Sequence, residues 1–138
     1  MNTIPGEANV LLDIRGTNPK KRDRAKERIL NAARKAAVQR GVALQATQKE
    51  YQTPVKVSKN IAGEIARACK GEKITFMKMP SGAGHDAVSL SQAGVPVGMI
   101  FVPSKKGISH APEEYSKPSD IAAGTAVLAR ALLSIANK

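Results

Sequence analysis

The N-terminal residues alternate apolar and polar side chains, a pattern typical of a strand with one buried face. A turn at residues 5–7 joins a short arm to a strand over 8–15, so the pattern predicts a hairpin over 3–15. A small sheet of this kind would place Asn2 and Arg15 on the same side. The apolar positions of the strand are Val10, Leu12 and Ile14.

Longer segments carry apolar residues at helical spacing. One helix is predicted over 20–40, where Gly41 is suited to cap the C-terminus, and a second over 57–70. A last helix begins near Ser119, which can cap its N-terminus. The buried stripe of the first helix is predicted as Ala25, Ile29, Ala32, Ala33, Ala36 and Ala37, and that of the last as Ile121, Val127, Leu128, Leu132 and Ile135.

The remaining segments predict strands between the helices. These strands lie over 42–53, 74–79 and 95–102, and the last is apolar at nearly every position, as in a strand covered on both faces. A glycine-rich turn over 80–86 opens a short helix over 87–93, and residues 104–115 form a loop. Residues 1–53 thus predict a small α+β lobe, and residues 54–138 predict an α/β arrangement.

The charge of the chain is strongly positive, with 22 Lys+Arg against 11 Asp+Glu in 138 residues. Nine of these cations lie in the helix over 20–40. Such a helix could bind an anionic partner or nucleic acid. A non-catalytic basic module is therefore the alternative function, although a solvated helix face is the simpler interpretation. Aromatic residues are scarce, which argues against single-strand binding by base stacking.

Cellular location is predicted from three features of the sequence. No apolar run approaches the roughly 18–20 residues that span a bilayer. The residues after Met1 lack the basic and apolar regions of a secretory signal. Cys69 is the single cysteine, and its helical pattern predicts a reduced, packed side chain. Together these features predict a cytoplasmic protein without a membrane partner.

Two short motifs carry candidate chemistry. In Ser-Gly-Ala-Gly-His-Asp at 81–86, a glycine-rich turn at a helix start exposes backbone N–H groups that suit an anion such as a carboxylate. A plain tight turn explains that motif equally well, with His85 and Asp86 in support. His110 lies in a loop after an apolar strand, where α/β enzymes place site residues. Imidazole binds zinc well, but a lone histidine is more often structural, and three or four ligands are needed.

Four blocks of the sequence together resemble a known family. In chain order they are residues 2–15, Pro-Ser-Gly-Ala-Gly-His-Asp-Ala at 80–87, Met-Ile-Phe-Val-Pro-Ser at 99–104 and Gly-Ile-Ser-His-Ala-Pro-Glu-Glu at 107–114. The chain resembles the C-terminal part of the metal-dependent amidohydrolases that include N-carbamoyl-L-amino-acid hydrolase, allantoate amidohydrolase and β-ureidopropionase. These enzymes are relatives of zinc-dependent aminoacylases and carboxypeptidases.

The resemblance implies a fold and a set of site residues. Residues 54–138 would form the closing segment of a zinc-peptidase-like catalytic α/β domain, and residues 1–53 the second part of an α+β lid domain. His110 matches the last metal ligand of the family. Asn2 and Arg15 match lid residues that bind the substrate carboxylate, and a guanidinium can grip it with two hydrogen bonds. The backbone at Gly82, Ala83 and Gly84 matches the region that meets the same substrate end. Glu114 matches a family glutamate just beyond the histidine and has a supporting role, as His85 and Asp86 have in the glycine-rich turn.

The resemblance also implies that the site is incomplete in this chain. The family's other metal ligands and its general-base glutamate lie in an N-terminal portion that matches nothing here, so no catalytic residue is assigned. The implied cofactor is a divalent metal, zinc or manganese, that activates water. The implied substrate is a small ureido or carbamoyl acid, and the chain alone is predicted to be inactive. A homodimer through the lid, or a complementary N-terminal chain, is the implied partner, and nucleic acid is not expected.

Overall fold

A computed structural model describes residues 3–137 of the chain. It divides into two compact units, Met1–Pro54 and Val55–Lys138. The helices are α1 (Pro19–Arg40), α2 (Lys59–Gly71), α3 (Ala87–Gln92) and α4 (Pro118–Ala136), with a 3-10 turn at Lys105–Gly107. The assignment of the two units to a lid and to a catalytic domain stays a prediction.

Helix α1 organises the first unit, and its ends follow the sequence closely. The side chain of Asn18 accepts a hydrogen bond from the Lys21 N–H, and Pro19 lies in the first turn, where its missing N–H costs nothing. Gly41 ends the helix in the left-handed conformation with φ of 64°. The predicted helix and its C-terminal cap are therefore confirmed.

The segment after α1 lies along the helix and is held mainly by polar contacts. The Arg22 guanidinium donates to the Gln52 carbonyl at 2.6 Å and stacks over the Tyr51 ring at 4.3 Å. Lys26 donates to the Gln48 side chain at 3.2 Å. Of the predicted alanine stripe, Ala37 is buried and Ala25 and Ala33 are half-buried, but Ile29, Ala32 and Ala36 are exposed. Only part of the predicted alanine stripe is therefore buried.

The second unit is built on the contact between α2 and α4. Its core is a cluster of small side chains, and Ile65, Ile74 and Ile100 pack against it. Cys69 belongs to this cluster, as the sequence predicts, and it is a free thiol. The buried members are Ala68, Cys69, Val127 and Ala131. Small residues let the two helix backbones approach closely. The stability of this core therefore depends more on how closely the side chains pack than on the volume of apolar side chain that is buried.

Polar contacts join the same two helices. The Glu64 carboxylate is 4% exposed, yet it accepts hydrogen bonds from the Ser134 hydroxyl at 3.0 Å and from the Arg67 guanidinium. Arg130 of α4 donates to the Glu72 carboxylate at 2.6 Å, just after α2 ends. A buried carboxylate is costly unless it is hydrogen-bonded, and here it is. These contacts fix the register of α4 on α2.

Helix α4 differs from the prediction at its start and on its surface. It begins at Pro118 after Lys117, so Ser119 is a residue of the first turn and not the cap. Val127 is buried, but the other predicted stripe residues are exposed: Ile121, Leu128, Leu132 and Ile135. By length and composition alone α4 could cross a membrane, with a mean hydropathy of 1.4. The expectation that no segment reaches this length is therefore corrected, although core helices of soluble proteins share these features.

The predicted strands are wrong for this structure, because residues 3–137 contain no β-strand. The predicted hairpin over 3–15 and the predicted strands over 42–53, 74–79 and 95–102 form neither strands nor helices. Side-chain alternation predicts the extended conformation, but a strand also requires a neighbouring strand to pair with. The α/β class is accordingly not confirmed within the described residues. The remaining helices start or end within about two residues of their predictions.

Gly98 is expected to be intolerant of a larger side chain. A Cβ atom there would lie 2.5 Å from Ile61 Cγ2 and 3.0 Å from Ile65 Cδ1 of α2. Overpacking of this kind typically costs about 1–3 kcal/mol, so Gly98→Val should lower the urea midpoint followed by helical circular dichroism. Gly63→Ala is the control, because a Cβ at Gly63 meets nothing within 4 Å and alanine favours the helix. Equal midpoints for Gly98→Val and the wild type would contradict the packing.

Candidate functional site

Arg15, the predicted carboxylate-binding residue, is held by an ion pair in the first unit. Its Nη2 lies 2.6 Å from Asp13 Oδ2, and its Nε donates to both Asp13 oxygens at 3.0 and 2.9 Å. Both side chains are exposed. Asn2, the other predicted lid residue, lies outside the described residues. Nε and Nη2 of the guanidinium are therefore engaged by the Asp13 carboxylate, and binding of a substrate carboxylate by Arg15 stays a prediction.

The ion pair also sets the protonation of its members. Hydrogen bonds from Arg15 hold the pKa of Asp13 below its ordinary value, and the same contact raises the pKa of Arg15. The contribution of the pair to stability is thus present above the ordinary Asp pKa and is lost as the pH falls through the lowered value. Exposed pairs contribute little, so Asp13 acts mainly by orienting Arg15. Asp13 was not predicted as a site residue, although its two-residue spacing from Arg15 in the predicted strand over 8–15 indicates that the two side chains share a face.

The glycine-rich turn over 80–86 is held by local hydrogen bonds. Gly82 has φ of 68°, a conformation that favours glycine, and the Ser81 hydroxyl donates to the Ala83 carbonyl at 3.1 Å. His85 Nδ1 accepts the Ala87 N–H at 3.0 Å, and the His85 carbonyl accepts the Val88 N–H at 2.8 Å. His85 thus binds the first turn of α3, which agrees with a supporting role.

This turn offers an anion a weaker site than the sequence predicts. Helix α3 has six residues, so its dipole is short, and Asp86 makes no side-chain capping hydrogen bond. The backbone around Ala83 and Gly84 is exposed and accessible to a ligand. Whether it meets a substrate stays a prediction.

His110 lies in a constrained turn of the second unit. Its φ of 56° is left-handed, which costs a residue other than glycine about 1–2 kcal/mol. The His110 N–H donates to Glu114 Oε2 at 2.8 Å, and the Glu114 N–H donates to the Ala111 carbonyl at 2.9 Å. Glu114 therefore closes the turn that presents His110. The bond is consistent with the supporting role predicted for Glu114, and the sequence alone does not show that the carboxylate bonds the backbone.

Further contacts anchor the base of this loop. The Lys105 N–H donates to the Tyr115 carbonyl at 2.8 Å, and the Ser104 hydroxyl donates to the Ile108 carbonyl at 2.6 Å. The loop over 104–115 is thereby closed at both ends. The imidazole of His110 is exposed, so it is available to bind a ligand.

Loss of the Glu114 carboxylate is expected to loosen the His110 turn. A hydrogen bond of this kind contributes about 1 kcal/mol, so Glu114→Ala should speed amide exchange at His110 several-fold. The measurement is hydrogen exchange followed residue by residue by NMR. Glu113→Ala is the matched control, because Glu113 has no recorded hydrogen bond in the described part of the chain. Equal exchange rates in the two variants would show that Glu114 does not hold the turn.

The described residues do not form a complete metal site. Within residues 3–137, no group of three or more His, Cys, Asp or Glu side chains lies close enough to hold a metal ion. The Glu114 carboxylate is engaged by the backbone of His110. Among the described residues, His110 therefore offers one exposed imidazole, which would fill one ligand position of a metal site.

Comparison with known proteins identifies the family. Residues 7–134 match the model of peptidase family M20/M25/M40. The chain belongs to this family. M20 enzymes generally use divalent metals. The role of His110 as a ligand of such a metal stays a prediction. The resemblance to N-carbamoyl-L-amino-acid and allantoate amidohydrolases is confirmed as well.

Several M20 relatives carry hydrolase names. The N-carbamoyl-L-amino acid amidohydrolase of Geobacillus stearothermophilus is 37% identical over 128 residues, 93% of this chain and 31% of that protein. The ureidoglycolate hydrolase of Oryza sativa subsp. japonica is 35% identical, covering 96% of this chain and 27% of the relative. The allantoate amidohydrolase of Escherichia coli (strain K12) is 31% identical, covering 99% of this chain and 33% of the relative. The chain spans about a third of the length of the curated relatives it matches.

A solved structure is similar to this chain in fold as well as in sequence. The crystal structure of AtUAH in complex with glyoxylate superposes with a TM-score of 0.75 at 32% identity. The match covers 88% of this chain and 29% of that chain. The chain therefore shares an M20 fold arrangement, even though its own extended segments are unpaired.

Proposed function

We propose that this chain is the C-terminal part of a metal-dependent M20 amidohydrolase that cleaves a non-peptide C–N bond. Its substrate class is an N-carbamoyl-L-amino acid, allantoate or a related ureido acid. The observation that carries the proposal is the match of residues 7–134 to the M20 family. Relatives with carbamoyl, allantoate and ureidoglycolate hydrolase names support the substrate class.

Each predicted site residue has a role in this proposal. Arg15 binds the substrate carboxylate together with Asn2, and Asp13 holds the guanidinium fork in place. The backbone at Gly82, Ala83 and Gly84 meets the same substrate end. His110 supplies one metal ligand, and Glu114 fixes the turn that carries it. The supporting residues His85 and Asp86 hold the start of α3.

The chemistry itself depends on groups that this chain does not hold. The metal, zinc or manganese, supplies Lewis-acid activation when it is bound. The other ligands and the general-base glutamate come from the N-terminal portion of the M20 fold. The chain alone is therefore inactive in this proposal. It acts in the cytoplasm, as a homodimer through the lid or with a complementary N-terminal polypeptide.

A single-chain chimera tests the proposed function. Residues 7–134 of this chain replace the matching segment of the Geobacillus stearothermophilus N-carbamoyl-L-amino acid amidohydrolase. Hydrolysis of N-carbamoyl-L-amino acids, allantoate and ureidoglycolate is then measured with zinc and with manganese. Activity on at least one of these acids is expected. A folded, metal-loaded chimera that leaves all three classes intact would overturn the proposal, and the unmodified relative is the control.

The alternative function, a basic module that binds nucleic acid through α1, has less support. The first four cations of this helix would supply the contact: Lys20, Lys21, Arg22 and Arg24. The Arg22 side chain is 10% exposed, and it bonds Gln52 and Asp23 within its own unit. Binding to duplex DNA with a steep salt dependence, abolished by charge reversal at these positions, would favour the alternative.

A further inference from the structure

The Asp13 carboxylate occupies donors of Arg15 that a substrate carboxylate would also need. Arg15 Nε donates to both Asp13 oxygens at 3.0 and 2.9 Å, and Nη2 donates to Oδ2 at 2.6 Å. Two neighbouring nitrogens bound to one carboxylate form a fork, the arrangement in which arginine generally recognises carboxylates. One of the two edges of the guanidinium is therefore already filled by a carboxylate of the same chain.

Asp13 is negatively charged in this contact. The hydrogen bonds from Arg15 hold the pKa of Asp13 below its ordinary value, so the carboxyl group is ionised at neutral pH. A substrate carboxylate at the other edge of the guanidinium, Nη1 and Nη2, would lie close to this charge. Like charges repel, so Asp13 opposes a second carboxylate at either edge of Arg15.

The contact is also weak enough to be exchanged. Both side chains are 60% exposed, and ion pairs at this exposure contribute little because water screens the charges and the paired side chains lose freedom. Only one residue separates Asp13 from Arg15, so the carboxylate stays near the guanidinium even when its hydrogen bonds are broken. A displaced Asp13 therefore remains at high effective concentration and returns when a ligand leaves.

We propose that Asp13 is an internal competitor that a substrate carboxylate must displace from Arg15. The inference rests on the proposed function for the identity of the ligand, a ureido or carbamoyl acid. Asp13 keeps the guanidinium in one orientation before substrate binds, and it lowers the affinity of Arg15 for any external carboxylate. Asp13 thus raises the KM for acidic substrates without touching the reacting bond.

Orientation without competition is the other role that the same contact allows, and the two roles predict opposite results. If Asp13 only oriented Arg15, loss of its charge would weaken carboxylate binding. If Asp13 competes, loss of its charge strengthens binding. The distances favour competition, because the orienting hydrogen bonds use Nε and Nη2 themselves. Asp13→Asn separates the two roles, since the amide oxygen still accepts a hydrogen bond while the negative charge is gone.

Binding of N-carbamoylglycine to the full chain tests the inference without any need for hydrolysis. The Nε–H resonance of Arg15 is followed by NMR as this acid is added to the wild-type chain and to Asp13→Asn. Glu7→Gln is the matched control, because Glu7 carries the same charge in the same unit and its carboxylate accepts from the Asn9 side chain at 3.1 Å. The carboxamide of the same probe shows how far binding depends on the negative charge.

We expect Asp13→Asn to lower the Kd of N-carbamoylglycine about threefold and Glu7→Gln to change it by less than about 1.5-fold, since the effect of one exposed charge is small and local. Neither variant should change the Kd of the carboxamide. In the single-chain chimera, Asp13→Asn should lower the KM for the acid by a similar factor and leave kcat unchanged, because Asp13 acts on binding of the carboxylate and not on the reacting bond.

Two results would overturn the inference. One is an equal or weaker affinity of Asp13→Asn for the acid, which would leave Asp13 with orientation alone, and the other is a gain of the same size in Glu7→Gln. The proposed function fails on a different observation. A folded, metal-loaded chimera that hydrolyses nothing refutes the function, while a lower Kd in Asp13→Asn still supports competition at Arg15. Hydrolysis by the chimera together with weaker binding in Asp13→Asn does the reverse.

Discussion

Replacing His110 by alanine is expected to abolish hydrolysis by the single-chain chimera. Loss of a residue that merely orients a metal ligand typically costs 10–100-fold in metal affinity or activity, so loss of the ligand itself should cost more than about 100-fold. The measurements are kcat/KM at saturating metal and the metal content of the purified protein. Both should fall, while the helical circular dichroism stays unchanged because His110 is exposed.

The second histidine supplies the control for this prediction. His85 bonds the Ala87 N–H at the start of α3, so His85→Ala should weaken that turn and leave the metal content unchanged. We expect its activity loss to stay below about tenfold, as for one local hydrogen bond. If His85→Ala lowered the metal content as much as His110→Ala, the assignment of the ligand would be wrong. Full activity of His110→Ala would also refute it.

The helices were predictable from the sequence because their signals are local. Helical spacing and the Gly41 cap act within one turn of chain, and α1 ends where they indicate. Its first residue is Pro19 after the Asn18 cap, one residue before the predicted start. The buried surface of α4 was not predictable in the same way. Periodicity marks every apolar position, but α2 covers only the strip around Val127 and Ala131, and the rest of the stripe stays exposed.

The strands show a different limit of sequence reasoning. The apolar run over 95–102 predicts a strand covered on both faces, yet pairing is a property of two segments and cannot be read from one. The candidate site was predictable only in part. His110 and Arg15 were identified from short motifs by resemblance, whereas the contacts that hold them, from Glu114 and Asp13, follow from backbone geometry. These contacts are what the structure adds to the resemblance.

Arg15→Ala in the chimera is expected to lower kcat/KM for an N-carbamoyl-L-amino acid by about 100-fold. Two charge-assisted hydrogen bonds to a carboxylate together contribute roughly 3 kcal/mol, and 1.4 kcal/mol corresponds to a factor of ten. Arg15→Lys should lie between the parent and Arg15→Ala, because lysine keeps the charge and loses the fork. Arg24→Ala, at an exposed position on α1, is the control and should remain within about twofold of the parent.

The carboxamide form of the same substrate separates carboxylate binding from a general loss of fold. It lacks the negative charge, so the parent chimera should use it poorly and Arg15→Ala should change its kcat/KM little. The difference between the two substrates isolates the contact between the guanidinium and the carboxylate, as in a double-mutant cycle. An equal loss on the acid and on the amide would mean that Arg15 supports the first unit through Asp13 and does not bind substrate. If Arg15→Ala lowered kcat/KM for the acid alone, the Arg15 guanidinium would be the group that binds the substrate carboxylate.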